Sequence, residues 1–260
     1  MVAPGFLFTQ TALRTYRECP YRFRLRYLEE IPWPAVPAGQ GAEQAVELGR
    51  RFHELARQHY LGLDPSDQAH SAGEPLLSWW QALQRRPPDL AHCTRCYPEA
   101  ALSVPMGTFR LSARYDLLAL GEDEARIVDW KTGDLPTEAT LAEDLQTRVY
   151  LYVLAEGGAA YHEGRPFLPE RLSLIYWHPQ ASVRIDYDTR RHTENWAFLE
   201  GLIAEIARCP AETMLPTEDL RACAHCGYAS LCGRPGEGVL EWEEEEGEAL
   251  LAWPVEDVPA

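Results

Sequence analysis

Two aspartates on neighbouring predicted strands are the residues of this sequence best placed to do chemistry. Residue patterning predicts strands over 108–120 and 125–131, joined by a short turn. If the turn is centred on residues 122 and 123, residues whose numbers sum to 245 face each other, so Asp116 lies opposite Asp129. The hairpin therefore brings two carboxylates together.

The surroundings of these carboxylates favour a divalent metal ion. Alternation along the second strand puts Asp129 and Lys131 on one face and Trp130 on the other. The neighbouring residues are apolar, and two facing buried carboxylates repel each other unless a cation compensates. Hard oxygen ligands suit Mg²⁺ or Mn²⁺. The alternative is a structural ion-pair network in which Lys131 supplies the positive charge.

Lys131 is the only lysine in the chain, and the other 23 of its 24 basic residues are arginines. The ammonium group is compact, whereas a guanidinium is wide and planar, so the two are not interchangeable in a crowded site. The single lysine indicates a chemical role that arginine cannot fill. The competing explanation is a codon bias with one chance survivor.

Two pairs of residues lie four positions apart on predicted helices. Gly49 and His53 share one helix face, and Gln146 and Tyr150 share another. Gly49 removes a side chain one turn below His53, which leaves room there for a ligand. Each pair on its own has a simpler structural explanation, and their order and spacing in one chain make them specific.

The sequence around these residues resembles the PD-(D/E)XK nuclease superfamily, and more specifically its RecB/AddB-like branch. The resemblance is carried by Asp116 together with residues 127–133, IVDWKTG. Residues 49–53, GRRFH, are similar to the G-x-x-x-H helix of that branch, and residues 146–150, QTRVY, to its Q-x-x-x-Y motif.

The resemblance implies a role for each matching residue. The Mg²⁺ or Mn²⁺ ligands would be His53, Asp116, Asp129 and the carbonyl of Trp130, with Glu99 as a further candidate. The catalytic set would be Asp116, Asp129, Lys131, Gln146 and Tyr150. In it Lys131 orients the attacking water, and Gln146 and Tyr150 position the DNA strand.

The seven cysteines predict a metal or cluster site rather than disulfides. Cys223, Cys226 and Cys232 form a C-x2-C-x5-C run, and Cys19 lies in an N-terminal helix similar to the one that carries the first cluster cysteine in the RecB/AddB-like branch. Four thiolates can hold a [4Fe–4S] cluster. The alternative is zinc bound by Cys223 and Cys226 with the C-x2-C pair Cys93 and Cys96.

The resemblance implies a metal-dependent deoxyribonuclease, an exonuclease on single-stranded or end-containing DNA that acts in recombination, repair or defence. A nuclease that trims DNA before CRISPR integration shares every one of these motifs. A non-catalytic subunit that binds DNA ends for a helicase, and a non-enzymatic zinc protein, are further alternatives. A helicase or CRISPR integration proteins are the expected partners.

The order of predicted elements indicates an α/β fold with a central mixed β-sheet flanked by helices, and the resemblance implies a restriction-endonuclease-like core. Helices are expected over 42–61, 74–86, 140–156 and 191–208, a first helix from Thr9 kinked near Pro20, and further strands over 100–105, 171–178 and 182–187. One nuclease domain is expected over 1–236, with the cluster closing its N- and C-terminal parts.

The chain carries a formal net charge of −16, which by itself argues against a nucleic-acid partner. Nine of its 40 acidic residues and none of its basic ones lie in residues 237–260, so the body is only modestly acidic. We expect this segment to be a disordered acidic tail. No signal sequence or long apolar run is present, and a cytoplasmic location with no membrane partner is expected.

Overall fold

A computed structural model describes residues 1–32, 40–224 and 226–234. These residues form two compact units. The first is drawn from Met1–Val46, Pro105–Leu111 and the stretch that starts at Phe198, and the second from Glu47–Val104 and Ser112–Ala197. The predicted acidic tail at 237–260 and most of the predicted loop at 31–41 lie outside the described residues. The single domain predicted over 1–236 stays a prediction.

The second unit is built on a mixed sheet. The strands of the chain are β1 (Leu7–Phe8), β2 (Arg95–Met106), β3 (Phe109–Leu120), β4 (Ala125–Trp130), β5 (Leu172–Trp177) and β6 (Ser182–Asp186). In the second unit β2 and β4 flank β3, β5 pairs with β4 in parallel, and β6 pairs with β5 in antiparallel orientation. The predicted α/β fold with a mixed sheet and flanking helices is confirmed.

The register of the β3–β4 hairpin is the predicted one. Leu117 pairs with Val128 and Leu118 with Ile127, so the residue numbers sum to 245. Every residue of β4 is buried. Burial of both alternating faces means that the strand is covered on both sides of the sheet.

The helices are α1 (Gln10–Glu18), α2 (Pro20–Phe23), α3 (Gln40–Tyr60), α4 (Ser66–Ala72), α5 (Leu76–Arg85), α6 (Glu138–Glu143), α7 (Leu145–Gly157) and α8 (Thr189–Arg208). The single helix predicted over 140–156 is two helices. The side chain of Asp144 accepts a hydrogen bond from the backbone N–H of Gln146 and so begins a new helix there. This cap places Gln146 in the first turn of α7.

One face of the sheet packs against α3, α4 and α5 through large aromatic residues. Phe52 of α3 stacks on Trp177 of β5, and Tyr60 stacks on Trp130 of β4. Trp80 of α5 belongs to the same buried cluster. Offset ring pairs of this kind add about 0.5–1.5 kcal/mol each beyond the burial of their area. The cluster therefore holds α3 against β5 and against β4, the strand that carries Asp129.

The first unit contains the helix that was predicted from Thr9. The Thr9 side chain caps α1. The helix is interrupted at Cys19, and α2 starts at Pro20, close to the predicted kink. β1 pairs in parallel with Arg110 and Leu111. No helix in the described part of the chain is long and apolar enough to cross a membrane.

Candidate active site

His53 contacts the hairpin at two points. Its Nε2 lies 2.9 Å from the carbonyl oxygen of Trp130, and its Nδ1 lies 3.3 Å from Oδ1 of Asp116. Oδ2 of Asp116 accepts a hydrogen bond of 2.8 Å from the backbone N–H of Trp130. The hairpin and α3 therefore bring together three of the four predicted metal ligands.

Both ring nitrogens of His53 face acceptors, so the ring makes both contacts only when it carries two protons. Burial lowers the pKa of His53, but the charge of Asp116 and the hydrogen bond to it outweigh burial and raise the pKa to about 9. Burial opposes ionisation of Asp116 as well, yet His53 and the Trp130 N–H hold the pKa of Asp116 below its usual value. The metal-free site is thus an imidazolium–carboxylate pair at neutral pH.

Asp129 and Lys131 are joined by the side chain of Gln146. The amide of Gln146 donates to Oδ1 of Asp129 over 2.6 Å and accepts from Nζ of Lys131 over 3.1 Å. Lys131 Nζ also lies 2.9 Å from Oδ2 of Asp129, and 5.5 Å from the centre of the Tyr176 ring. Burial and the nearby charge of Asp116 raise the pKa of Asp129, although Lys131 opposes this shift. Gln146 therefore sets the positions of the carboxylate and the ammonium relative to each other.

Tyr150 lies deeper than its predicted role suggests. Only 1% of the residue is exposed, and its ring packs edge-on against Tyr115. The hydroxyl of Tyr115 donates to the backbone carbonyl of Tyr150. Tyr150 therefore packs α7 against Tyr115 of β3. Its predicted contact with DNA stays a prediction.

Glu99 lies near the same site in a conformation that few residues other than glycine adopt. Its φ is +57°, although it is within β2. Such a backbone costs about 1–3 kcal/mol and tends to occur where it aims a side chain at a functional site. The side chain forms an ion pair of 2.7 Å with Arg114 of β3. Burial and the charge of Asp116 raise the pKa of Glu99.

Arg114 also lies at the site, although the sequence predicted no role for it. Its guanidinium compensates Glu99, so three carboxylates and three basic groups meet at this end of the sheet: Glu99, Asp116, Asp129, His53, Arg114 and Lys131. The only local signal for Arg114 was its place two residues before Asp116, on the same face of β3.

The donor set fits a hard divalent cation. The buried carboxylate of Asp129, the partly buried carboxylate of Asp116, a main-chain carbonyl and an imidazole are ligands that Mg²⁺ and Mn²⁺ accept, and Glu99 can add a third carboxylate. Within 1–32, 40–224 and 226–234, no three His, Cys, Asp or Glu side chains are already grouped so as to hold an ion. This applies to the four cysteines assigned to the cluster as well as to His53, Asp116 and Asp129.

The four cysteines assigned to a cluster all belong to the first unit. Cys19 and Cys223 are buried, and all seven cysteines are free thiols. Burial raises the pKa of Cys232, and Cys19, Cys226 and Cys223 raise it further while Arg234 opposes the shift, so these three cysteines lie near Cys232. The hydroxyl of the fully buried Tyr228 donates to the carbonyl of Ile31 over 2.6 Å and attaches the cysteine-rich segment near the first helices.

A profile of the PD-(D/E)XK nuclease superfamily matches residues 7–233. The chain belongs to this superfamily, whose members generally use divalent metal ions such as Mg²⁺.

One solved structure has a similar fold. A crystal structure from Eubacterium rectale, described as that of a candidate exonuclease, is 9% identical with a TM-score of 0.51, over 82% of this chain and 84% of that one. At this identity the likeness concerns the fold, which is consistent with a restriction-endonuclease-like core. The structure of SSO0001 is 14% identical over 89% and 88% of the two chains, but its TM-score of 0.39 supports no argument. No curated protein sequence matches this chain.

Proposed function

We propose that this chain is a Mg²⁺- or Mn²⁺-dependent deoxyribonuclease that acts as an exonuclease on single-stranded or end-containing DNA. The observation that carries the proposal is the meeting of His53, Asp116 and the Trp130 carbonyl beside the linked side chains of Asp129, Lys131 and Gln146. The exonuclease part rests on the description of the Eubacterium rectale protein and on the shared fold. The pathway, and a helicase or CRISPR integration partner, stay predictions.

In this proposal the ligands of the divalent ion are His53, Asp116, Asp129 and the Trp130 carbonyl. A bound ion supplies a Lewis acid that lowers the pKa of a water and offsets charge on the phosphate. Lys131 holds that water through its ammonium group. Gln146 keeps Lys131 beside Asp129, so the ammonium needs little reorganisation when charge develops on the phosphate oxygens.

The proposal is tested with end-labelled single-stranded, double-stranded and circular DNA. We expect cleavage of linear DNA with Mg²⁺ or Mn²⁺, loss of cleavage with EDTA, and recovery when the metal is restored. Equal cleavage of covalently closed circles would refute the exonuclease assignment. Full activity in EDTA would refute metal dependence.

Metal affinity should strengthen as the pH rises from about 6.5 to 9. The imidazolium of His53 stabilises the metal-free fold fully below its unfolded pKa of 6.5, and this contribution is lost as the pH passes through about 9. A metal ion must displace the proton from His53, so the apparent affinity should improve up to about tenfold per pH unit in this window. Calorimetric titration with Mn²⁺ at pH 6.5, 7.5 and 8.5 measures this.

Two variants on α3 isolate the cause of the pH dependence. His53→Gln should weaken Mn²⁺ binding and flatten its dependence on pH. His59→Gln should retain the wild-type profile, because His59 is exposed and its ring packs against Tyr60 and Trp80, away from the predicted ligands. A wild-type affinity that is constant over this range would contradict the assigned role of His53.

We also propose that Cys19, Cys223, Cys226 and Cys232 bind a [4Fe–4S] cluster, as in the RecB/AddB-like branch. The nearness of Cys19, Cys223 and Cys226 to Cys232 supports this proposal, and four thiolates are the donor set that such a cluster needs. A cluster would link Cys19, between α1 and α2, to the cysteine-rich segment around Tyr228. Its role would be structural.

Anaerobically purified protein should be brown and contain about four iron atoms per chain. Cys19→Ala, Cys226→Ala and Cys232→Ala should each bleach the colour and lower the unfolding temperature, because metal-linked folding energy is lost. Cys96→Ala is the matched control and should keep the colour, since Cys96 packs beside the aromatic cluster of the second unit. Colourless protein with stoichiometric zinc would overturn the cluster.

A further inference from the structure

A polar pocket lies between α7 and α8, outside the predicted metal site. Its cavity volume is about 40 Å³. Thr147 and Arg148 line it from α7, and Arg190, Arg191 and Asn195 line it from α8. None of these residues belongs to the predicted ligand or catalytic set, so the pocket has no assigned role.

The pocket carries an excess of positive charge. Three arginines and two glutamates line it. Arg190 forms an ion pair of 2.8 Å with Glu194, and Arg148 pairs with Glu143. In the part of the chain that the structure describes, no carboxylate lies within 4.0 Å of the guanidinium of Arg191. The net charge of the lining residues is therefore positive, with Arg191 as the cation that lacks a carboxylate partner.

A buried amide fixes one of these guanidinium groups. Asn195 is only 6% exposed, although it is polar. Its Oδ1 accepts from Nη1 of Arg148 over 2.9 Å, and its Nδ2 donates to the hydroxyl of Tyr187 over 3.3 Å. An arginine held by such contacts has already lost much of its side-chain entropy, so an anion that binds it loses less free energy to ordering. A fixed guanidinium suits a phosphate, whose oxygens match its planar fork.

The pocket adjoins the predicted catalytic centre through the other face of α7. Thr147 directly follows Gln146, which contacts Asp129 and Lys131. The hydroxyl of Thr147 lies 2.7 Å from that of Tyr176, and the ring of Tyr176 lies 5.5 Å from Nζ of Lys131. One aromatic side chain therefore separates the wall of the pocket from the ammonium group.

We propose that this pocket binds a non-reacting backbone phosphate of the substrate strand, with Arg191 and Arg148 as its cationic contacts. The inference rests on the proposed nuclease function and names a second point at which the strand is held. A contact of this type adds affinity and fixes the register of the strand without taking part in bond cleavage.

The test compares Arg191→Gln with Arg85→Gln. Both remove one positive charge, but Arg85 is an exposed residue in the last turn of α5. Binding of a labelled single-stranded oligonucleotide is followed by fluorescence anisotropy in EDTA, where no cleavage occurs, over a series of salt concentrations. Arg191→Gln should weaken binding on the order of 5- to 10-fold and reduce the salt slope by about 0.7, as for one lost phosphate contact on a single strand. Arg85→Gln should change neither by as much.

A second arm distinguishes a backbone phosphate from free phosphate. Single uncharged methylphosphonate linkages are placed in turn along the oligonucleotide. One position should weaken wild-type binding about as much as Arg191→Gln, and should weaken binding by that variant no further, because both changes remove the same contact.

Three outcomes would overturn the proposal. The first is that Arg191→Gln and Arg85→Gln weaken oligonucleotide binding equally. The second is that the losses of affinity from Arg191→Gln and from methylphosphonate substitution add in full at every linkage. The third is that inorganic phosphate binds in calorimetry and Arg191→Gln abolishes this binding while oligonucleotide affinity is unchanged. The proposed function fails separately, if the wild-type chain neither binds nor cleaves DNA. A protein that cleaves normally but gives one of the three outcomes loses only the pocket assignment.

Discussion

Asp129→Asn should reduce DNA cleavage by at least about 10³-fold, because an amide is a far poorer ligand for a divalent cation than a carboxylate. The change is nearly isosteric. The oxygen of the asparagine can still accept the hydrogen bond that Gln146 donates to Oδ1 of Asp129. We therefore expect the fold and any cluster colour to be retained, with the loss confined to turnover. Asp116→Ala should also abolish cleavage, since it removes the carboxylate that faces His53.

The matched control is Asp144→Asn. Asp144 caps α7 through the N–H of Gln146, and asparagine caps helices about as well as aspartate. This variant removes one carboxylate beside the same helix without touching the predicted metal ligands, so turnover should stay close to wild type. Initial rates on end-labelled DNA at saturating Mg²⁺ and Mn²⁺ give the comparison. If Asp129→Asn retains wild-type activity, the hairpin carboxylates are structural.

Lys131→Arg should lose at least about 100-fold in cleavage, comparable to the loss of one oxyanion-type contact. The ammonium lies 2.9 Å from Asp129 Oδ2 and 3.1 Å from Gln146 Oε1, with the Tyr176 ring 5.5 Å away. A planar guanidinium in this confined space would pair with Asp129 through two hydrogen bonds and take up oxygens that the metal needs. The variant should fold and bind DNA, yet turn over slowly.

Comparing Lys131→Ala with Lys131→Arg distinguishes the effect of the positive charge from that of the shape of the ammonium group. If both variants are equally slow, the positive charge at this position is not sufficient for catalysis and the position of the ammonium is what matters. DNA affinity in EDTA and the unfolding temperature serve as controls for binding and folding. Near wild-type turnover of Lys131→Arg would reduce the lysine to a counter-ion, and its status as the only lysine would then reflect composition.

The secondary structure was predictable where a local rule dominated. The β3–β4 register followed from the alternation of side chains and the short turn, and the break at Cys19 followed from Pro20. The helix predicted over 140–156 was divided because the cap at Asp144 competes with helix continuation. The short helix α4 was not predicted, because its largely polar sequence carries no helical period and Ala69 is buried only by tertiary packing.

The sequence predicted residues for the candidate site, but not the contacts that these residues make. Gln146 bridges Asp129 and Lys131 inside the site, and its predicted contact with DNA stays a prediction. Tyr150 was given the same role, and it is buried against Tyr115. A spacing of four residues determines that two side chains share a helix face, but not which structure that face packs against.

The sequence by itself determined the superfamily and a hairpin register that puts Asp116 opposite Asp129, whereas the set of metal ligands that it names stays a prediction. Only the tertiary structure decided that His53 contacts both Asp116 and the Trp130 carbonyl, because these contacts depend on how aromatic residues pack α3 against the sheet. The same holds for the ion pair of Glu99 with Arg114 and for the pocket around Arg191. These contacts join elements far apart in the chain, and packing sets their geometry, whereas local patterns report only the periodicity of each element.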